Sequence, residues 1–346
     1  MFQKIKKIYM SPLQIAAEKN NTKILEIFMI AKGVEDFAFK DCTELRELTI
    51  PSVITRIGKN AFEGCTSLTK ITIPSTVTFI GNYAFNGCTS LLKVEIPKDV
   101  TEIKSYTFNR CTSLTQVIVP PTITIIEEYA FYECTSLVDV TIPKSVKFLG
   151  NGAFSKCASL PKLDIPNTIP QIGDNTFNGC EALKEIEIPY SVSTLGSHAL
   201  ASCCSLTRLV IPSSIKSIGP AAFKKCISLT KITIYAEIPA IGDSFFMGCS
   251  SLVEIIYPKS VTSIERNAFF GCSSLVEFPF PETITKIGDY AFSNCTSLIQ
   301  MTIPPTMESI GLHAFKGCKS LLEVNVPASV KVAKEAFPSN SVVIKK

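Results

Sequence analysis

The sequence predicts a β-solenoid, in which one short unit is repeated and stacked on itself. Thirteen of the 14 cysteines stand 23 residues apart without a slip, from Cys42 to Cys318. A fixed period in the twenties over most of a chain is typical of such an architecture. Hydrophobic residues make up 46% of the chain and charged residues 18%, so the chain can bury a core. We expect a parallel β-sheet on one face of the coils and short turns, 3₁₀ or irregular segments on the other.

The unit at residues 65–87 contains one short predicted strand. Ile71 and Ile73 alternate with polar residues, so one side of this strand is predicted to be buried and the other exposed. Pro74 ends the strand because it has no N–H to donate to a ladder. Phe85 is predicted to fill the interior of the coil from the far side.

The repeated form I-x-I-P-x-x-V-x-x-I-G-x-x-A-F-x-x-C-x-S-L recurs over residues 37–340. It resembles the BspA-like (Treponema pallidum-type) leucine-rich repeats, which occur in bacterial and protozoan surface antigens. The resemblance implies a leucine-rich repeat solenoid whose function is protein binding and cell adhesion. It also implies a location at the cell surface and a host or matrix protein as partner.

Residues 11–33 predict two short helices before the first coil. Ser11 is a suitable N-cap for the first helix and Thr22 for the second, which Gly33 can end. The segment is similar to one ankyrin repeat, although Gln14 stands where that repeat has histidine. A single such unit cannot fold alone, so we expect a helical cap on the first coil. The alternative is the remnant of a longer ankyrin array with its own partner.

Three regions follow from these patterns, and two coils are predicted to be irregular. Tyr235 takes the proline position of its unit, and Pro279 stands inside a predicted strand, where one ladder hydrogen bond must be lost. We therefore expect local irregularity at 235–241 and 278–281. The predicted regions are an ankyrin-like helical cap at 1–36, a solenoid of about thirteen 23-residue units at 37–340, and a C-terminal tail at 341–346.

The cysteine ladder invites a metal or redox interpretation, which its period opposes. Metal sites need ligands that converge at short spacings, whereas a 23-residue period places the thiols in a row. Disulfides between neighbouring coils are conceivable by distance, but parallel side chains point the same way and thirteen thiols cannot all pair. We therefore expect small buried hydrophobes. Cys204, the one cysteine off the ladder, is predicted to face solvent and to be the most reactive thiol.

No pattern in the chain predicts catalysis or a cofactor. The two histidines, His198 and His313, are five coils apart, and no phosphate-binding or dinucleotide-binding glycine loop is present. The net charge of +4 is spread along the chain, so we expect no nucleic-acid partner. No segment approaches the ~20 apolar residues of a membrane span. The sequence therefore predicts neither an enzyme, nor a metal site, nor membrane insertion.

The outward positions of the strands form the predicted protein-binding face of a monomeric protein. Its charges are basic in the early coils and acidic in the late ones. The candidate residues are Lys70, Lys93, Glu95, Gln116, Ile118, Asp139, Lys162, Asp164, Glu185, Glu187, Arg208, Val210, Lys231, Glu254, Ile256 and Glu277. A second candidate surface is an aromatic strip in three successive coils, formed by Tyr83, Tyr106 and Tyr129. Solubility and cross-strand charge pairing would also explain the face, and stacking alone would explain the strip.

Two functions remain open at this point. The resemblance favours a surface antigen or adhesin. The lack of an export signal in the sequence, the many cysteines and the ankyrin-like start favour an intracellular scaffold for protein interactions.

Overall fold

The computed structural model describes residues 12–19 and 22–346. The chain forms two compact units, Met1–Ile169 and Pro170–Lys346. Each unit is a parallel β-solenoid of stacked coils, as the repeat predicts.

Two helices precede the first coil within the described residues. They are α1 (Pro12–Glu18) and α2 (Thr22–Lys32). Gly33 has a φ of 75°, and its N–H donates to the Met29 carbonyl oxygen at 2.7 Å. This is the left-handed cap that ends many helices, and glycine suits it because it has no Cβ. Thr22, predicted as a cap, is the first residue of α2, and the predicted cap Ser11 lies outside the described residues.

One row of strands, which we call the face strands, carries the alternation predicted from the sequence. In the first unit they are β1 (Glu47–Thr49), β3 (Lys70–Thr72), β5 (Lys93–Glu95), β7 (Gln116–Ile118) and β9 (Asp139–Val140). In the second unit they are β13 (Arg208–Ile211), β15 (Lys231–Ile234), β17 (Glu254–Ile256), β21 (Glu323–Val326) and β23 (Val342–Lys345).

A second row of two-residue strands follows the turn after the proline position of the unit, which is occupied by Tyr235 in the coil of residues 226–248. In the first unit these are β2 (Arg56–Ile57), β4 (Phe79–Ile80), β6 (Glu102–Ile103), β8 (Ile125–Ile126) and β10 (Phe148–Leu149). In the second unit they are β11 (Gln171–Ile172), β12 (Thr194–Leu195), β14 (Ser217–Ile218), β16 (Ala240–Ile241), β18 (Ser263–Ile264), β19 (Lys286–Ile287), β20 (Ser309–Ile310) and β22 (Lys331–Val332).

Both rows pair in parallel, and the register advances by one repeat at each step. The face strands of the first unit lie in the order β1-β3-β5-β7-β9, with Glu47 opposite Lys70. The second row pairs in the same way, for example Ile103 with Ile126. The predicted parallel sheet is confirmed. Turns form the opposite side of each coil, as predicted. The paired strands of the second row were not predicted from the sequence.

The core of each coil is filled by apolar side chains that recur in columns. Phe62, Phe85 and Phe108 are fully buried, and their rings stack at centroid distances of 5.3 and 5.5 Å. The ladder cysteines and the leucines three residues after them are buried as well, for example Cys65 and Leu68. Because every coil meets the same coil above and below, one side chain that fits can be repeated at every level.

The coil around Pro279 departs from the regular pattern, as predicted. On the face, the strand pairing of this coil is reduced to an isolated bridge between Glu277 and Gln300. Phe278 turns inward and stacks on Tyr257 at 5.4 Å, so an aromatic cluster replaces the regular aliphatic packing.

The C-terminal segment differs from its predicted description as a tail. Residues 342–345 form β23, which pairs in parallel with β21 through Glu323–Val342 and Asn325–Ile344. Val342, Val343 and Ile344 are β-branched residues, which favour extended backbone, and β21 offers an edge on which they can pair.

Candidate protein-binding surfaces

The candidate face residues of the first unit lie in two columns on the outward side of the coils, and all of them are exposed except the half-buried Gln116. Lys70 is opposite Lys93, Lys93 is opposite Gln116, and Gln116 is opposite Asp139. The Gln116 side-chain amide donates to the Asp139 carboxylate. Ile118 is also exposed, on the same side of the sheet. The structure thus brings these side chains together, although some of their polar groups pair with each other.

The second unit repeats this arrangement with other residues. Arg208, Lys231 and Glu254 occupy successive strands, and the Lys231 ammonium lies 2.7 Å from the Glu254 carboxylate. Val210 and Ile256 project from the same strands and are 52% and 45% exposed. An exposed salt bridge of this kind contributes little to stability, about 0–1 kcal/mol. A partner can therefore replace this pair at little cost to the fold.

A groove opens on the face of the first unit between β3 and β5. β3 and β5 pair only at Lys70 and Lys93, whereas β1 and β3 pair over three residues. The groove has a volume of about 420 Å³, and its lining includes Ile73, Leu92 and Glu95. This site combines an apolar floor with charged rims, which suits a protein side chain.

No sequence-based prediction covered a second set of exposed apolar residues, which lie four residues after the ladder cysteines. This position precedes the alternating part of the strand, so both it and the next residue are exposed. In the first unit the set contains Leu92 and Val138, and in the second unit it contains Val253, Val276, Ile299 and Leu322. The recurrence of large apolar residues at one repeat position was the signal that could have revealed it.

The aromatic strip consists of stacked tyrosine rings. Tyr83 and Tyr106 stack at 4.7 Å and Tyr106 and Tyr129 at 5.0 Å. Burial, with Tyr83 and Tyr129 beside it, raises the pKa of Tyr106, so its hydroxyl remains protonated at neutral pH. The ring faces are used against one another. Both faces of the Tyr106 ring are therefore occupied, so the middle of the strip offers a partner a ring edge and a hydroxyl group.

The ladder cysteines are held by the backbone of the preceding coil. The Cys65 thiol donates to the Phe39 carbonyl oxygen at 3.0 Å, and the Cys111 thiol donates to that of Phe85 at 3.1 Å. Burial raises the pKa of the Cys111 thiol well above its ordinary value, so the reactive thiolate is suppressed. None of the 14 cysteines forms a disulfide in the structure, and no group of three or more metal-binding side chains is found among the described residues.

Comparison with known families identifies the repeat. The profile of the BspA type leucine rich repeat region (6 copies) matches residues 32–161, 101–230, 147–273 and 216–343. The chain belongs to the BspA-type leucine-rich repeat family. Leucine-rich repeat proteins of this kind are protein-interaction modules, and nothing in the family or fold points to catalysis.

Solved structures share the BspA-type fold. A leucine-rich repeat protein from Bacteroides ovatus is 30% identical over 90% of this chain and 86% of that one, with a TM-score of 0.77. A leucine rich cell surface protein from Faecalibacterium prausnitzii is 29% identical over 87% and 77% of the two chains, with a TM-score of 0.52. The pneumococcal vaccine antigen PcpA has the same fold at 22% identity, over 87% and 79%, with a TM-score of 0.53. A comparison with curated proteins gave no significant match.

No helix in the described part of this BspA-type protein is long and apolar enough to cross a membrane. The ankyrin resemblance of the first helices is not supported by these comparisons, which match the chain through its repeats.

Cys204 differs from the ladder cysteines in being only half-buried. Partial burial and the nearby Glu181 carboxylate raise the pKa of its thiol, so Cys204 is accessible but not activated. We expect that iodoacetamide will modify one thiol of the folded protein slowly, and that peptide mapping will place the label on Cys204. In denaturant all 14 cysteines should react.

The variant Cys204→Ser is the control for this experiment, and its folded form should take up almost no label. Rapid labelling of a ladder cysteine such as Cys203, which is fully buried, would contradict the packing described above.

Proposed function

We propose that this chain is a non-enzymatic protein-binding module that acts as a surface antigen or adhesin on a host or matrix protein. The observation that carries the proposal is the contrast between core and face. The cysteine and leucine columns of the core repeat one residue in every coil and the other core columns stay mostly apolar, whereas the outward positions change between lysine, glutamate, glutamine, isoleucine and arginine. A uniform frame that displays varied exposed side chains is how solenoids commonly build binding surfaces.

The proposed location rests on the family and on one relative. The Faecalibacterium prausnitzii protein, which is 29% identical over most of both chains, is described as a cell surface protein. We extend that location to this chain, and we infer that it acts as a monomer without nucleic acid or cofactor.

The helices α1 and α2 are proposed to cap the first coil, with an ankyrin-like unit as their origin. Val34, just after α2, already pairs with Ile57 in the second row, and the Gly58 N–H donates to the Val34 carbonyl oxygen at 2.8 Å. The Gln14 side-chain amide reaches the Lys40 carbonyl oxygen at 3.5 Å. These contacts support the role of a cap, because a cap must bond to the coil that it covers.

The binding face can be tested by reversing three of its charges. The variant Lys93→Glu/Glu95→Lys/Arg208→Glu should lose capture of a partner from host-cell and matrix extracts, while its thermal unfolding midpoint stays unchanged. All three side chains are exposed, and exposed charges steer and align a partner more than they stabilise the fold.

A matched variant reverses three exposed charges outside the face strands, Lys98→Glu/Asp99→Lys/Lys216→Glu. It should capture partners as the parent protein does. Equal capture by both variants would remove the face from the proposal.

A second candidate function is an intracellular interaction scaffold, and 14 cysteines without a disulfide favour it. Free thiols persist in reducing compartments and are less common in exported proteins. Labelling of intact cells with a membrane-impermeant reagent separates the two candidates. Protein that is labelled only after lysis would overturn the adhesin and leave the scaffold.

A further inference from the structure

The second unit carries an unusual line of exposed apolar side chains on its face. Val253, Val276, Ile299 and Leu322 come from four successive coils and are 43–60% exposed. The Ile299 N–H donates to the Val276 carbonyl oxygen at 3.0 Å, so neighbouring coils are in register at this position. We call these four residues the apolar column. Four large apolar residues aligned on one surface are a mark of an interaction site.

Acidic side chains flank the apolar column along its length. The next residue in each of the four coils is Glu254, Glu277, Gln300 and Glu323, in that order. Glu254 is paired with Lys231, but among the described residues no cation lies within ion-pair distance of Glu277. The surface beside the column therefore carries uncompensated negative charge, which favours a cationic partner.

A groove lies beside the column where Pro279 interrupts the sheet. Its volume is about 460 Å³, and its lining includes Glu277, Glu282, Phe280 and Met301. Two carboxylates and two apolar side chains around one groove suit a long basic side chain, whose methylenes can pack on apolar walls while its charge meets the carboxylates. Lys259 lies one coil away from Glu282 in the same repeat column, but it forms no ion pair with Glu282.

The spacing of the column indicates which kind of segment would cover it. Successive strands of a sheet lie about 4.8 Å apart, whereas an α-helix rises about 5.4 Å per turn. Alternate side chains of an extended strand stand about 6.6 Å apart, which fits the column less well. A helix laid along the column can therefore place one apolar residue over each coil.

We propose that the apolar column and the groove bind an amphipathic helix of a partner protein whose apolar face is flanked by lysine or arginine. The apolar residues of that helix lie on Val276 and Ile299, and one basic side chain enters the groove between Glu277 and Glu282. This inference rests on the proposed function, because it names the partner chemistry of the same face.

The test uses the full chain and three labelled synthetic peptides in fluorescence anisotropy. One peptide is helical, with leucines at helical spacing flanked by lysines. The second replaces the lysines with glutamates, and the third replaces the leucines with alanines. Only the first should bind, and its affinity should fall as salt is added because charge pairing is screened.

Two variants and one control locate the site. Glu277→Lys/Glu282→Lys and, separately, Ile299→Ser should each weaken binding of the lysine–leucine peptide at least about tenfold, which corresponds to about 1.4 kcal/mol. Glu47→Lys changes an exposed glutamate at the same repeat position in the first unit and should leave binding unchanged. Circular dichroism of each variant should confirm that the fold is retained.

Several outcomes would overturn the inference. They are equal binding of the glutamate peptide, unchanged affinity in the Glu277→Lys/Glu282→Lys variant, or self-association of the chain through the column with no peptide bound. If that variant still captures a protein partner that the Lys93→Glu/Glu95→Lys/Arg208→Glu variant loses, the proposed function stands and this inference fails alone.

Discussion

Replacing Phe85 with alanine is expected to lower the free energy of unfolding by about 3–5 kcal/mol, as for other buried aromatic residues. Phe85 has no exposed surface and lies between Phe62 and Phe108, at centroid distances of 5.3 and 5.5 Å. Alanine would leave a cavity that two neighbouring rings line. Both coils would have to move to close it, and their backbone hydrogen bonds oppose that movement.

Urea unfolding followed by circular dichroism measures this loss. Phe148→Ala is a control in the same unit, because Phe148 is 40% exposed and forms part of the second row. It should cost clearly less than Phe85→Ala, since 40% of the Phe148 side chain already contacts water. If the two substitutions cost the same, the stacked phenylalanine column would not be the centre of the core.

Replacing Gly150 with alanine is expected to destabilise the first unit by about 1–3 kcal/mol, the usual range for an overpacked site. A Cβ at Gly150 would lie 2.4 Å from the Glu128 nitrogen and 2.6 Å from the Glu127 carbonyl carbon. Both atoms belong to the backbone of the preceding coil, so no side-chain rotation can relieve the contact. The coils would have to separate locally, and the 2.8 Å hydrogen bond from the Gly150 N–H to the Ile126 carbonyl oxygen would lengthen.

The measurement is again urea unfolding, with Lys147→Ala as a control three residues earlier. Lys147 is exposed, and its truncation should change the free energy of unfolding by no more than about 0.5 kcal/mol. A Gly150→Ala variant as stable as the parent protein would show that neighbouring coils separate at almost no energetic cost.

The sequence could predict the coil because each coil packs against copies of itself. A residue that recurs at one position must meet the same neighbours in every coil, so periodicity reports contacts directly. The alternation at Ile71 and Ile73 predicted the face strands, and Pro279 predicted where their pairing fails. The outward position of Lys70 and Lys93 follows from the same alternation.

Other features depend on contacts that a repeat pattern does not encode. Gly150 illustrates this, because Lys104 and Glu127 occupy the same repeat position in other coils. The period alone would therefore allow a side chain at Gly150. In the structure, however, a Cβ atom at this position would lie only 2.4 Å from the Glu128 nitrogen of the preceding coil. The second row of strands was missed for a related reason, since two residues are too few to show alternation.

By itself, the sequence determined the repeat, the identity of the core columns and the side of each strand that is exposed, because these follow from side-chain periodicity. The tertiary structure alone decided that the cysteine thiols donate to carbonyl groups of the preceding coil, that residues 342–345 pair with β21, and that Glu282 and Met301 line one groove. Those features arise between coils that are distant in sequence, where backbone spacing, and not residue order, sets which atoms meet.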